Sequence, residues 1–153
     1  MKLTRNCEVG IGLLIYCAYR PGVLVKTNDA AAYAGGTLPQ AHQQTLRLVR
    51  AGYLESLRGK SGGIRLAKNA DQMILSDVIR LLQPQLSHRK ARFGNAGFDI
   101  VMNEIMRSSF CILDSFTIAD LVAEEPGSRF TNSTTPAQNN LKPLSQNASL
   151  MFN

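Results

Sequence analysis

Ile11, Leu14, Ile15 and Ala18 recur at intervals of three and four. That spacing predicts a helix from about Thr4 to Ala18 with these four residues on one buried stripe. Thr4 is placed to cap its N-terminus. Gly10 and Gly12 interrupt the helix, each weakening an exposed position by roughly 1 kcal/mol relative to Ala. Arg20-Pro21-Gly22 ends it, and Val23-Leu24-Val25 reads as a short edge strand. Thr27 then caps a second, short helix, Asn28 to Ala34, closed by the Gly35-Gly36 turn. A third helix begins at Thr37 or Leu38, with Pro39 tolerated in its first turn. It runs to about Ala51 and stops at Gly52. Ala41, Leu46, Leu48 and Val49 are its inward candidates; Gln40, Gln43, Gln44, Arg47 and Arg50 fall mostly on other faces.

After Gly52 the pattern changes. From Tyr53 to Ala67 it reads as two short strands joined by a glycine-rich turn. Leu57, Ile64 and Leu66 would face a core, while Arg58, Lys60 and Arg65 reach outward. Gly59, Gly62 and Gly63 allow a tight turn and close backbone approach. Leu75 to Leu82 returns to helical spacing and is stopped by Pro84. Gln85 to Gly97 is loop-like and basic, with Arg89, Lys90 and Arg92. Phe98 to Ser115 is the longest helical pattern. Ile100, Val101, Ile105, Met106, Phe110, Ile112 and Leu113 spread apolar surface around much of its circumference, more than one packing partner requires. Phe116 to Val122 reads as a short trailing helix with Thr117 as its cap. Residues 127–153 turn to Ser, Thr, Asn, Gln and Pro, a composition that does not repay ordering entropy, so a disordered tail is expected.

The expected fold is mainly α with a small β-wing. A winged helix-turn-helix spans 1–84, a loop 85–97, the long and trailing helices 98–125, and the tail 126–153. A helix followed directly by a basic hairpin is the outline of a unit that grips DNA.

Charge strengthens that picture. The net charge is +6 over 153 residues. Residues 1–68 hold ten Lys and Arg against Glu8, Asp29 and Glu55, a net of +7, and residues 69–153 net −1. The excess therefore sits with the helix and hairpin, as a polyanionic partner requires; the alternative is an ordinary basic surface that maintains solubility. No run of 18 apolar residues exists, so no membrane span is expected. The N-terminus lacks a signal-peptide pattern, with Glu8 interrupting it. These features point to a cytoplasmic protein.

Catalytic and metal chemistry find little support. Cys7, Cys17 and Cys111 are widely spaced, and no CxxC pair exists, which argues against a disulfide framework or structural zinc. Cys17 and Cys111 lie in apolar helical stretches, where thiols act as small hydrophobes. His42 and His88 have no ligand partners at metal spacing. Gly59-Lys60-Ser61 looks like a phosphate-loop fragment, but Leu54 stands where glycine is needed and a strand follows, which argues against nucleotide hydrolysis. With no catalytic constellation, the chain reads as a non-enzyme.

As a DNA reader, the third helix would turn Gln40, Gln43, Gln44 and Arg47 to a major groove, where Gln pairs with adenine and Arg with guanine. His42 would contact a base or phosphate, and Arg50 extends the same basic helix. The alternative is a solvated helix face. Arg58 and Lys60 would hold phosphates or enter the minor groove, with Ser61 donating from the turn. Arg65 either joins them or pairs with a nearby acid. Arg5 can add a backbone contact.

Met1-Lys2-Leu3-Thr4-Arg5, Ala51-Gly52-Tyr53-Leu54-Glu55-Ser56 with Arg58-Gly59, Gly62-Gly63-Ile64-Arg65-Leu66-Ala67, Leu75-Ser76-Asp77-Val78-Ile79 and Phe116-Thr117-Ile118-Ala119-Asp120-Leu121 occur in that order. Together, over about residues 1–124, they resemble the Rrf-two type of bacterial winged-helix regulators. The resemblance implies a homodimer joined through the long helix, two reading heads on a pseudo-palindromic duplex, and repression by occupying promoter DNA. Many members carry an iron–sulfur cluster on three cysteines in the loop before the long helix. The matching stretch here, Gln85 to Phe98, has no cysteine, and the last family cysteine falls near Asn95. Glu8 matches a position where some members supply a carboxylate ligand, but one carboxylate without thiolates does not hold a cluster. A member without a cofactor is therefore expected; the alternatives are an iron–sulfur sensor with unusual ligands, or a degenerate winged helix acting as a protein-interaction module. The family's Tyr-Leu-x-Lys in the recognition helix is replaced by Gln40-Ala41-His42-Gln43. Without a cluster, the signal would be a small molecule, a partner protein, or oxidation of Cys7 or Cys17, with Cys111 in the core.

Overall fold

A computed structural model describes residues 2–86 and 96–123. The expected tail, His88 and the basic residues Arg89, Lys90 and Arg92 lie outside the described residues.

Helix α1 (Arg5–Ala18) opens on Thr4, whose hydroxyl accepts the Cys7 amide at 3.3 Å. Its buried face is Cys7, Val9, Gly10, Leu13, Leu14 and Cys17. Of the expected stripe only Leu14 is fully buried; Ile11, Ile15 and Ala18 are half-buried. The glycines turn the helix. A Cβ on Gly10 would lie 2.5 Å from Leu82 Cδ1, and one on Gly12 would lie 2.6 Å from the Ala34 Cβ. They are points of close helix approach, so the buried side follows them.

Helix α2 (Thr27–Tyr33) starts one residue earlier than expected, with Lys26 at the N-cap and Thr27 inside the first turn. Helix α3 (Leu38–Arg50) begins with a capping box. The Thr37 amide donates to Gln40 Oε1 at 3.0 Å and the Gln40 amide donates back to the Thr37 hydroxyl at 3.4 Å. It ends in a Schellman turn, with Gly52 at φ +74° and the Tyr53 amide donating to Leu48 O at 2.9 Å.

That turn launches an antiparallel hairpin, β1 (Leu54–Leu57) and β2 (Gly63–Leu66), in register Leu54↔Leu66 and Leu57↔Gly63. Leu54 and Ile64 are buried. Leu57 is not: it is 59% exposed, contrary to expectation. With Leu54 inward, the two-residue alternation of a strand sends Leu57 to the opposite face. The expected third strand at Val23–Val25 reduces to a single bridge, Val25↔Ile64.

Helix α4 (Leu75–Leu82) buries Leu75, Ser76, Val78, Ile79 and Leu82 against α1 and α3. Helix α5 (Ala96–Leu113) buries only Phe110. Beyond it, Phe116–Val122 is a run of turns and not the expected trailing helix. Its amides are already engaged: Ile118 donates to Met73 O at 2.9 Å and Thr117 to the Asp120 carboxylate at 2.9 Å. Together with Leu75 donating to Phe116 O at 2.8 Å, these bonds pin the end of α5 to the start of α4. Arg80 reinforces the joint, 3.6 Å from Asp114 and 4.5 Å from the Phe110 ring centre. No helix among the described residues is long and apolar enough to cross a membrane.

Candidate nucleic-acid interface

Helix α3 turns Ala41, Gln44, Thr45 and Leu48 into the core. His42, Gln43, Leu46 and Arg50 are exposed on its other side. Three sequence-based assignments are corrected here. Gln44 is 0% exposed and cannot reach a groove. It lies three residues after Ala41 and four before Leu48, on the buried stripe. Arg47 is half-buried, its Nη1 donating to Leu82 O at 2.9 Å and its Nη2 to Leu81 O at 2.7 Å. It closes the C-terminal end of α4 instead of facing solvent. Leu46, expected inside, is 57% exposed.

Gln40 is drawn into the N-terminal cap. Its Oε1 accepts the Thr37 amide, and its Nε2 donates to Asn6 Oδ1 at 3.2 Å. Arg5 is exposed but engaged: Nη1 lies 3.0 Å from Glu8 Oε2, and Nη2 donates to the carbonyls of Gly35 and Ala34 at the end of α2. The outward α3 face is therefore narrower than the sequence suggested: His42, Gln43, Leu46 and Arg50.

The wing supplies cations beside it. Arg58, Lys60 and Ser61 are exposed at the hairpin tip, and their side chains make no hydrogen bond or ion pair among the described residues. The tip is shaped by glycine. Gly59 has φ +105°, and a Cβ on Gly62 would lie 2.1 Å from Leu57 O. Arg65 takes the second of its two alternatives, its Nη2 2.8 Å from Glu55 Oε2 across the strand pair. Sequence reasoning missed Lys26. From the N-cap of α2 its Nζ donates to Lys60 O at 2.5 Å and to Gly62 O at 2.9 Å. It holds the wing loop from 34 positions away in sequence, a distance no local signal spans.

The two thiols of α1 do not make a reactive site. Burial pushes Cys7 up to about 11, against a smaller opposing pull from Arg47, and Cys17 up to about 12. Both stay protonated in neutral solution, unlike the thiolates that react. Cys111, expected in the core, is exposed on α5. Among the described residues no three His, Cys, Asp or Glu side chains gather as a metal site.

The fold has solved counterparts. The global cysteine regulator CymR of B. subtilis superposes with a TM-score of 0.70 at 23% identity, over 82% of this chain and 98% of that one. IscR of T. potens gives 0.67 at 24% identity, over 91% and 94%. The oxidized form of Staphylococcus aureus CymR gives 0.70 at 22% identity, over 82% and 98%. At these identities the likeness establishes the winged-helix fold. The sequence itself matches the Rrf2 family model, described as an iron-dependent transcriptional regulator, over residues 3–124. The chain belongs to the Rrf2 family and is a transcriptional regulator.

Proposed function

We propose that this regulator binds duplex DNA as a homodimer in the cytoplasm and represses by occupying promoter DNA, without an iron–sulfur cluster. One observation carries the DNA reading: the outward face of α3 and the wing-tip cations, unpaired among the described residues, adjoin in the chain within a head of net charge +7. His42, Gln43 and Arg50 would face the major groove, and Arg58, Lys60 and Ser61 the phosphate rails. Lys26 holds the loop that carries two of those wing groups. Gln44 and Arg47 have no place in this contact set, and Gln40, Arg5 and Arg65 act through the scaffold.

The dimer reading rests on α5. Ile100 is 68% and Ile112 63% exposed, with Val101 and Ile105 also more than half exposed. A second α5 would cover such a surface.

The family description implies iron, and the donor set does not fit a cluster. The stretch Gln85 to Phe98 contains no cysteine, two of the three thiols are buried and protonated, and Glu8 is held by Arg5. No step of the proposed action passes through a metal.

The test is duplex binding by anisotropy across a salt series, on promoter fragments recovered by genome-wide mapping of bound DNA. The expected result is a steep linear fall of log affinity with log salt. Arg58→Ala and Lys60→Ala should each lower that slope by about 1. Affinity independent of salt, or unaltered in the double variant, would remove the reading.

A further inference from the structure

We infer that Leu46 is a specificity-determining residue that reads the 5-methyl group of thymine in the major groove. The inference rests on the proposal that α3 enters that groove. An isolated exposed leucine is ordinary; this one is informative by position. The buried side of α3 is Ala41, Gln44, Thr45 and Leu48. At 100° per residue, the direction opposite that stripe passes through Pro39, Gln43, Leu46 and Arg50. Leu46 therefore stands in the middle of the outward face, three residues after Gln43 and four before Arg50. Arg47 has been drawn aside to the carbonyls of Leu81 and Leu82, so no long cation lies over it from the next position.

Chemistry then fixes the partner. The cations of Arg58 and Lys60 complement phosphates flanking a groove, which leaves the groove floor to His42, Gln43, Leu46 and Arg50, of which only Leu46 is apolar. On that floor the thymine methyl is the apolar group, and apolar side chains contact it. Gln43 offers the amide that pairs with adenine N6 and N7. Three residues of helix rise about 4.5 Å, close to one base-pair step of about 3.4 Å. Gln43 and Leu46 thus reach the same or adjacent pairs, and the pair of side chains selects A·T over G·C.

The experiment uses the full chain and a duplex selected by the wild-type protein from random-sequence DNA. Each thymine is replaced in turn by deoxyuridine, which removes only the methyl. At one thymine per half-site, the replacement should weaken wild-type binding about fourfold, the factor for one buried methyl-sized group. Leu46→Ala should weaken binding to the thymine duplex and show no further loss on the uridine duplex. Leu46→Met should retain the thymine preference. The inference is overturned if Leu46→Ala binds both duplexes as the wild type does, or if its loss is uncoupled from every thymine. If wild-type protein selects no duplex at all, the DNA reading itself fails and takes this inference with it. If it selects a duplex and only the coupling is absent, that reading survives alone.

Discussion

Arg47 Nη1 lies 2.9 Å from Leu82 O, and its Nη2 donates to the neighbouring Leu81 carbonyl at 2.7 Å. The recognition helix is thereby tied to the C-terminal end of α4, where unpaired carbonyls favour a cation. The pair turns a residue that resembles a base reader into a brace for the reading head. Arg47→Ala should cost about 1.5–3 kcal/mol, the range for hydrogen bonds to a charged donor. Denaturant unfolding would record it as a lower midpoint. Arg47→Lys should recover only part of the loss, because a single ammonium lacks the planar fork that meets two carbonyls. The folded fraction of either variant should keep the wild-type salt slope on DNA; a slope reduced by about 1 would mean a phosphate contact after all.

Gln44 offers a gain. Its Oε1 and Nε2 are both buried without a hydrogen-bond partner, as is the Thr45 hydroxyl beside it. A buried amide left unsatisfied costs about 1–3 kcal/mol. Met has nearly the same shape and no such cost, so Gln44→Met should raise the unfolding midpoint by a comparable amount. A lower midpoint would show that the amide is satisfied in solution.

These two residues show what the sequence conveyed and what it hid. Helix spacing, the Thr4 and Thr37 caps and the glycine hairpin are local patterns, and α1, α3, α4 and the wing formed where those patterns placed them, while the expected trailing helix at Phe116–Val122 gave way to turns bonded to Met73 and Asp120. The face that each helix buries is not local. Gly10 and Gly12 look like weak points until Leu82 and Ala34 are seen against them. Gln44 and Leu46 exchanged places because polarity predicts exposure only on average, and the packing of α3 against α1, α2 and α4 put Gln44 on its buried stripe. Lys26 and Arg47 find their partners 34 to 36 residues away, beyond any window of periodicity. Arg58 and Lys60 were legible because a hairpin tip has nothing to pack against.

Helix α5 should be the dimer seam. Ile105→Glu places a charge between Val101 and Ile112, which share its side of the helix and are exposed in the single chain. Sedimentation should then report a monomer that remains folded, since the helix buries only Phe110 in the head. Losing the second head should weaken binding to a two-half-site duplex by roughly 10²-fold, the low end of bivalent gain. An unchanged dimer would place the seam elsewhere.

Cys7 and Cys17 should make the fold sensitive to alkali and insensitive to mild oxidants. Burial raises them from 9.0 to about 11 and about 12. Below pH 9 both the folded and unfolded chains keep these protons, so the thiols add no pH dependence. Above pH 9 the unfolded chain releases them while the folded chain holds them. The unfolded state then binds fewer protons, and stability falls as pH rises. Each thiol contributes about 1.4 kcal/mol of loss per pH unit, ending near pH 11 for Cys7 and near pH 12 for Cys17. Cys7→Ala with Cys17→Ala, although less stable from lost packing, should show a flatter decline between pH 9 and 11. At pH 8, iodoacetamide followed by mass spectrometry should find the exposed Cys111 alkylated. Cys7 and Cys17 should react only at the rate of unfolding. Rapid modification of either in the folded protein would restore thiol oxidation as a signal that the head could sense directly.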